Sequence, residues 1–389
     1  MSFRNRNSVP QQQLLSRRAV LGASAGLAAL WGSTALSACS ASSGAGTDGL
    51  TWGNWTYYLD FDEDTQTYPT LERFISETGI QVDYFEDIDD TNTFYAKIRD
   101  QLELDQFPGY DTFCFGDPVL ARLIEKKQIQ RLDPNAMPNV AENVLPHLRE
   151  QAADPGLQYT VPWQSGMTGL CYNQKLYPKG IETIDDLLRP ELHGKVGVLS
   201  EMTNTMGLVM LSQGVDIAGD WGDDEFQGGI DFLDEHLRSG QFSQVKGNSY
   251  VQDLQTGDTL AGMCWAGDIS MLNDEAGEEV WKFVVPESGA TYFVDSFMVP
   301  NGSEKRELVQ QLIDYYYQPE IAAEVADYVR YVTPVAGARE AMTKINPELA
   351  DNPLVFPDDE TNARLTQIRL LSSAEDKKYT TSFTKVLGL

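Results

Sequence analysis

From Leu50 onward the chain alternates short β-rich runs with amphipathic helical stretches, and no other feature restricts its fold as much. Leu50–Trp55, Ile80–Tyr84 and Thr112–Phe115 read as strands, and Thr67–Thr78, Phe94–Glu103 and Pro118–Lys127 as the helices that follow them. Alternation of this kind builds a parallel sheet covered by helices, because parallel neighbours need a long crossover between them. Gly79 stands where a helix C-cap belongs, and Pro118 occupies a favoured first-turn position. A second series runs from Val196 to Val299, with helices near Thr205–Gln213, Phe226–Arg238, Tyr250–Thr256 and Ile269–Glu279. Extended segments around Val161 and Phe293 join the two series. The expectation is two α/β lobes that the chain crosses more than once, with ligand chemistry beyond the carboxyl ends of the strands. No internal repeat is present.

Size and charge agree with this plan. At 389 residues the chain exceeds one ordinary core, and 42% hydrophobic content with 7 Trp, 17 Tyr and 16 Phe argues against disorder. Lys and Arg number 29 against 58 Asp and Glu, a formal charge of -29. Such a balance leaves too few basic residues for a phosphate-binding groove, so nucleic acid is an unsuitable partner. It suits a cationic ligand, and equally a protein selected for solubility or a salty habitat.

The N-terminus carries its own information. Arg4, Arg6, Arg17 and Arg18 precede a small-residue apolar run from Ala19 to Trp31, the layout of an export signal. The run is too short, and too broken by Gly and Ser, for a spanning anchor. Ser16-Arg17-Arg18-Ala19-Val20-Leu21-Gly22 resembles a twin-arginine signal, and Leu36-Ser37-Ala38-Cys39 resembles a lipoprotein box in which Cys39 is lipidated and becomes the mature N-terminus. Residues 1–38 then form the signal and 39–49 a Gly/Ser/Ala tether. The mature chain keeps 25 basic residues against 58 acids, a charge of -33. No later segment is apolar enough to span a bilayer.

Enzymatic signatures are sparse. His147, His193 and His236 sit in no metal-ligand spacing, and P-loop, GxSxG, GxGxxG and CxxC patterns are missing. Asp87-Ile88-Asp89-Asp90-Thr91-Asn92 fails as an EF-hand, with Asn92 at the sixth loop position and Ile98 at the twelfth, and reads as a solvated acidic loop. Cys114, Cys171 and Cys264 lie in apolar runs and read as small core residues; one disulfide among them is open, with three pairings possible. No metal or cofactor is implied.

What remains is a set of aromatic and polar residues at strand ends: Trp55, Thr56, Tyr58, Glu201, Asn204, Trp265, Asp268, Phe293, Asp295 and Tyr331. Each has a plain structural explanation. The tryptophans could fill the core, Asp268 could cap the helix from Ile269, Glu201 could complement a helix dipole, and Asp295 could simply end a strand. Together they suit an alkyl amine, with ring faces for methylenes and cation–π contact and carboxylates for ammonium groups.

From Leu50 to the C-terminus the chain resembles the periplasmic polyamine-binding proteins of ABC importers. Carrying the likeness are Asn54-Trp55-Thr56-Tyr57-Tyr58, Glu77-Thr78-Gly79-Ile80, Tyr110-Asp111, Ile129-Gln130-Arg131-Leu132-Asp133, Val161-Pro162-Trp163, Gly257-Asp258, Trp265-Ala266-Gly267-Asp268, Phe293-Val294-Asp295-Ser296, Gln318-Pro319-Glu320 and Tyr331. The resemblance implies a two-lobe, type II periplasmic-binding-protein fold with a hinge, lobe 1 from 50–161 plus about 294–332 and lobe 2 from about 162–293 plus 333–389. It implies an aromatic box of Trp55, Tyr58, Trp265, Phe293 and Tyr331. Asp295 and Asp268 would hold ammonium groups, with Thr56, Glu201 and Asn204 as further polar contacts. It also implies a monomer that binds putrescine or spermidine, catalyses nothing and passes its ligand to a membrane permease. The chain departs from the pattern at Gly116, Asp117 and Pro118, where a Ser and an aromatic are common, and at Asn204, where a Glu is common. Two rival readings fit the same residues: a receptor for another cationic or zwitterionic solute, and a secreted hydrolase using Glu201 and Asp268 as acid and base.

Overall fold

The computed structural model describes residues 49–388. Cys39, the twin arginines and most of the tether lie outside the described residues. The strands are β1 (Gly49–Trp55), β2 (Gln81–Ile88), β3 (Thr112–Gly116), β4 (Thr160–Asn173), β5 (Val196–Leu199), β6 (Phe242–Lys246), β7 (Ala261–Trp265), β8 (Trp281–Val284), β9 (Ala290–Met298) and β10 (Leu365–Thr366). They form one sheet in the order β2-β1-β3-β9-β4-β7-β5-β6, with β10 added to β9 and β8 to β4.

Both halves of the expected pattern are present. β1 pairs in parallel with β2 and β3, and β5 pairs in parallel with β6 and β7. The intervening helices start and stop where local chemistry dictates. Pro69 opens Pro69–Thr78, and Gly79 closes it at φ 75 with its N–H on Ile75 O. Asp90 caps Thr91–Glu103 by accepting from Thr93 N at 2.9 Å.

The extended segments around Val161 and Phe293 are β4 and β9, and their register determines where a ligand can sit. They pair antiparallel from Thr160↔Met298 to Thr168↔Thr291, with an irregularity between Pro162 and Gln164. β3 lies along one end of this ladder, pairing Phe113 with Met298 and Gly116 with Asp295. β7 lies along the other, pairing Tyr172 with Ala261 and Thr168 with Trp265. β3 and β7 therefore both run toward the middle of the ladder, and their carboxyl ends converge over Thr291–Asp295 of β9. Loops and helix N-termini after β1, β3, β5 and β7 all open there, as expected for ligand sites of α/β sheets.

An aromatic cluster fills the first half-sheet: Trp52 touches Trp163, Phe297 and Tyr316 with ring centroids 5.5, 5.4 and 5.7 Å away. Cys114, Cys171 and Cys264 are buried and unpaired, as core packing anticipates. Helix Ala338–Ile345 packs on helix Pro319–Val329 through Ala323, Ala326, Ala341 and Met342.

Candidate functional site

Over the middle of β9 lies a cleft of about 1040 Å³ including its open mouth, its wall built by Trp55, Tyr58, Glu201, Asn204, Trp265, Phe293, Asp295 and Tyr331 among others. Eight of the ten expected ligand contacts are thereby brought together from five parts of the chain.

The rings form a continuous series. Trp55 meets Tyr58 at 6.3 Å between centroids, Tyr58 meets Tyr331 at 5.0 Å, Tyr331 meets Phe293 at 6.3 Å and Phe293 meets Trp265 at 6.5 Å. Such tilted and edge-to-face contacts leave faces free for methylenes or a cation. Gly267 makes room for Tyr331, since a Cβ there would stand 2.5 Å from the ring.

The carboxylates are the unusual part. Asp295 is 6% exposed, its Oδ2 accepts from Tyr58 OH at 2.9 Å, and burial pushes its carboxyl up to about 7. Glu201 is pushed up to about 8 by burial first and then by the charge of Asp90, although Thr91 N donates to its Oε1 at 2.8 Å. Asp117, at the start of helix Asp117–Glu125, is pushed up to about 6 by burial. Among the described residues no Lys or Arg pairs with any of the three. Arg369 reaches the same wall, but Glu375 holds it at 2.6 Å and it lies over the Trp221 ring at 4.3 Å; Asp376 pairs with Arg122 at 3.1 Å. One buried acid and two half-buried ones, all without cations, are expensive unless a ligand brings the charge.

Two expected contacts are placed elsewhere. Thr56 is off the cleft wall, and its carbonyl accepts from Asn248 Nδ2 at 3.1 Å. Asp268 sits behind the wall, accepting from Tyr250 OH at 2.8 Å and Tyr331 OH at 2.9 Å, with its carboxyl raised to about 6 by burial. It does not cap the helix: Ala266–Ala276 begins two residues earlier, with Trp265 at the N-cap, so Asp268 lies inside the first turn. Glu201 is the N-cap residue of Met202–Ser212, yet its side chain makes no cap bond and serves Thr91 instead. Asn204 donates to Thr168 Oγ1 at 2.8 Å, which fixes its amide in the wall.

The acidic loop 87–92 keeps Asp87 and Asp89 exposed, as a solvated loop should, and it also makes bonds across the fold. Asp89 O accepts from Asn248 N at 3.2 Å, Asp89 Oδ1 from Ser249 N at 3.0 Å, and Asp90 Oδ2 from Ser200 Oγ at 2.7 Å. With Glu201–Thr91 and Asn248–Thr56, these bonds tie the loops after β1 and β2 to those after β5 and β6. Gly247 makes the approach possible, because a Cβ there would lie 2.1 Å from Asp89 O.

Sequence reasoning missed the segment after β10. Gln367, Ile368, Arg369 and Leu370 line the cleft, as does Asn248. Neither has periodicity or composition to mark it; only the chain path brings them in.

A two-lobed α/β frame whose strand ends converge on an aromatic, acid-lined cleft defines a ligand-capturing protein. Residues 70–357 match the model of the bacterial extracellular solute-binding protein family, and the chain belongs to that family. Its members among the relatives and fold neighbours are transport binding proteins, not enzymes. The chain is 27% identical to the spermidine/putrescine-binding periplasmic protein of Salmonella typhimurium, across 83% of this chain and 87% of that one. It is 26% identical to a putrescine-binding periplasmic protein of Escherichia coli, across 86% and 90%. The fold is the type II periplasmic-binding-protein fold: a structure from Listeria monocytogenes superposes with a TM-score of 0.76 at 22% identity, covering 88% of this chain and 99% of that one. No helix of the described residues is long and apolar enough to cross a membrane.

Proposed function

We propose that the chain is a lipid-anchored extracytoplasmic receptor that captures a polyamine, putrescine or spermidine, and delivers it as a monomer to the permease of an ABC transporter. The observation that carries this reading is the set of uncompensated carboxylates, Asp295 buried and Glu201 and Asp117 half-buried, in a cleft walled by five aromatic rings. A ligand with several cationic nitrogens and apolar spacers answers both features. The names of the relatives support the ligand class. The signal at Arg17, Arg18 and Cys39 supports the anchor.

We take the lobes to meet at β4 and β9, with the hinge in their shared ladder near Pro162, where the register is irregular. The cluster joining Pro319–Val329 to Ala338–Ile345 extends through Val355, so the first lobe is best taken to continue past residue 332. The bonds from Asp89, Asp90 and Thr91 to Ser200, Glu201, Asn248 and Ser249 then run between lobes and describe a closed receptor.

A zwitterionic solute would need a free cation for its carboxylate, and Glu375 already occupies Arg369. A hydrolase using Glu201 and Asp268 would need both acids in the lumen, and Asp268 is behind the wall. Calorimetry of the mature protein against putrescine, spermidine, cadaverine, agmatine and betaine tests the assignment. Stoichiometric binding of a polyamine, with betaine silent, is expected; betaine binding in preference to every amine would overturn it.

A further inference from the structure

Asp117 stands in the first turn of its helix, where a negative charge suits the helix dipole, but it makes no capping bond. The N-cap of Asp117–Glu125 is Gly116. Asp117 Oδ2 accepts from Gln367 Nε2 at 2.6 Å, while Oδ1 is shut off from solvent and meets no partner at all. A carboxylate oxygen left without a donor is costly, and the residue that carries it is part of the cleft wall.

Its place relative to Asp295 follows from the sheet. Gly116, the residue before it, is the cross-strand partner of Asp295, and a Cβ at Gly116 would come to 3.4 Å from Asp295 Oδ1. The absence of a side chain there leaves the space between the two acids open. On its other side Asp295 connects through the Tyr58 hydroxyl, and the adjoining Tyr331 ring, to Asp268, which two tyrosine hydroxyls already satisfy. Asp117 thus extends the row of acids past Asp295, toward the side of the cleft lined by the exposed Gln367.

We propose that Asp117 is a ligand-binding carboxylate that forms a further cation subsite beyond Asp295, with Gln367 fixing its orientation, and so favours a triamine over a diamine. The inference rests on the polyamine reading above. A diamine can satisfy Asp295 and one other acid; a third nitrogen is needed before Asp117 gains its missing partner. The upward displacement of both carboxyls, each without a cation, accords with a ligand supplying the charge.

Asp117→Asn keeps the shape and the contact with Gln367 but removes the charge. Calorimetry with spermidine and putrescine on the mature wild-type protein and the variant should show a wild-type preference for spermidine. In the variant, spermidine affinity should fall roughly ten- to a hundredfold and putrescine affinity much less, from the usual worth of a hydrogen bond to a charged group. Thermal unfolding without ligand should show the variant no less stable than wild type. Equal losses for both amines, or unchanged affinity for spermidine, overturn the inference and leave the polyamine reading in place. Wild-type protein that binds neither amine overturns both. Gln367→Leu provides a second arm: spermidine preference should shrink while the putrescine titration keeps its stoichiometry, and an undiminished preference counts against the orienting role.

Discussion

Replacing Asp295 by Asn should move ligand affinity and unligated stability in opposite directions. The carboxylate is buried, bonded to Tyr58 OH at 2.9 Å and pushed from 3.8 to about 7 by burial first, with the nearby charge of Asp117 adding to it. Between those values the unfolded chain has lost a proton that the folded protein still holds. Stability therefore falls as pH rises through this window, and the whole penalty is present above about pH 7. A displacement of this size corresponds to about 4 kcal/mol at most. Asparagine removes the penalty and still accepts from Tyr58, so the unligated variant should melt at or above the wild-type temperature at pH 8 and lose that advantage near pH 4. Binding should go the other way. Removing one partner of a buried charge pair costs about 3–5 kcal/mol, or roughly 10²- to 4 × 10³-fold in Kd. Calorimetry with putrescine and spermidine, paired with thermal unfolding at pH 4, 6 and 8, reads both quantities. Native affinity together with a lowered melting temperature at pH 8 would show that Asp295 only terminates a strand contact, and the argument from uncompensated charge would fail.

Trp265→Ala removes a ring but no charge, so its loss should be smaller, roughly 3- to 30-fold by titration; a loss exceeding that of Asp295→Asn would shift the weight of recognition to the rings. Because Asp295, Asp117 and Glu201 take up protons near 7, 6 and 8 while alkyl ammonium groups stay charged, affinity should weaken by at least roughly tenfold between pH 8 and pH 5, and a flat profile would contradict the charge pairing. Gly247→Ala places a Cβ 2.1 Å from Asp89 O, so the variant should scatter X-rays as a larger particle than wild type under saturating amine and bind it more weakly, although no cleft residue has changed. Cys39→Ser should move the mature protein from the membrane to the soluble fraction, and unchanged membrane association would rule out the acyl anchor.

The fold was legible wherever local rules suffice. Gly79, Pro118 and the alternating apolar runs placed helices and strands to within a few residues, because caps and periodicity act over one or two turns. Val161 and Phe293 could be recognised as crossings from their extended, apolar surroundings. Less could be read of roles that depend on what stands opposite. Asp268 looked like a cap, but Tyr250 and Tyr331, distant in sequence, take up its oxygens. Asp89 and Asp90 read as solvent-facing acids; Asp89 is exposed, and Asp90, besides capping its own helix at Thr93, is met by Ser200, a contact that no local pattern announces. Gln367 carries no local signal whatever, since a lone glutamine in a segment of mixed polarity gains meaning only when the chain lays it against Asp117.

The long antiparallel pair β4 and β9 serves both half-sheets at once, and this has a consequence for how the molecule comes apart. β3 needs β9 as its inner neighbour and β7 needs β4, so neither half retains a complete sheet if the other melts. Losing either half would strip one end of the shared ladder and expose hydrogen-bonding groups that are buried along nearly all of β4. Two-lobed architecture usually suggests two melting units, but here the lobes hold the same two strands in common. On this arrangement opening and unfolding would be separated: a swing of the halves would twist a ladder that stays intact, whereas denaturation would dismantle both together, so a single calorimetric unfolding transition is the expected outcome.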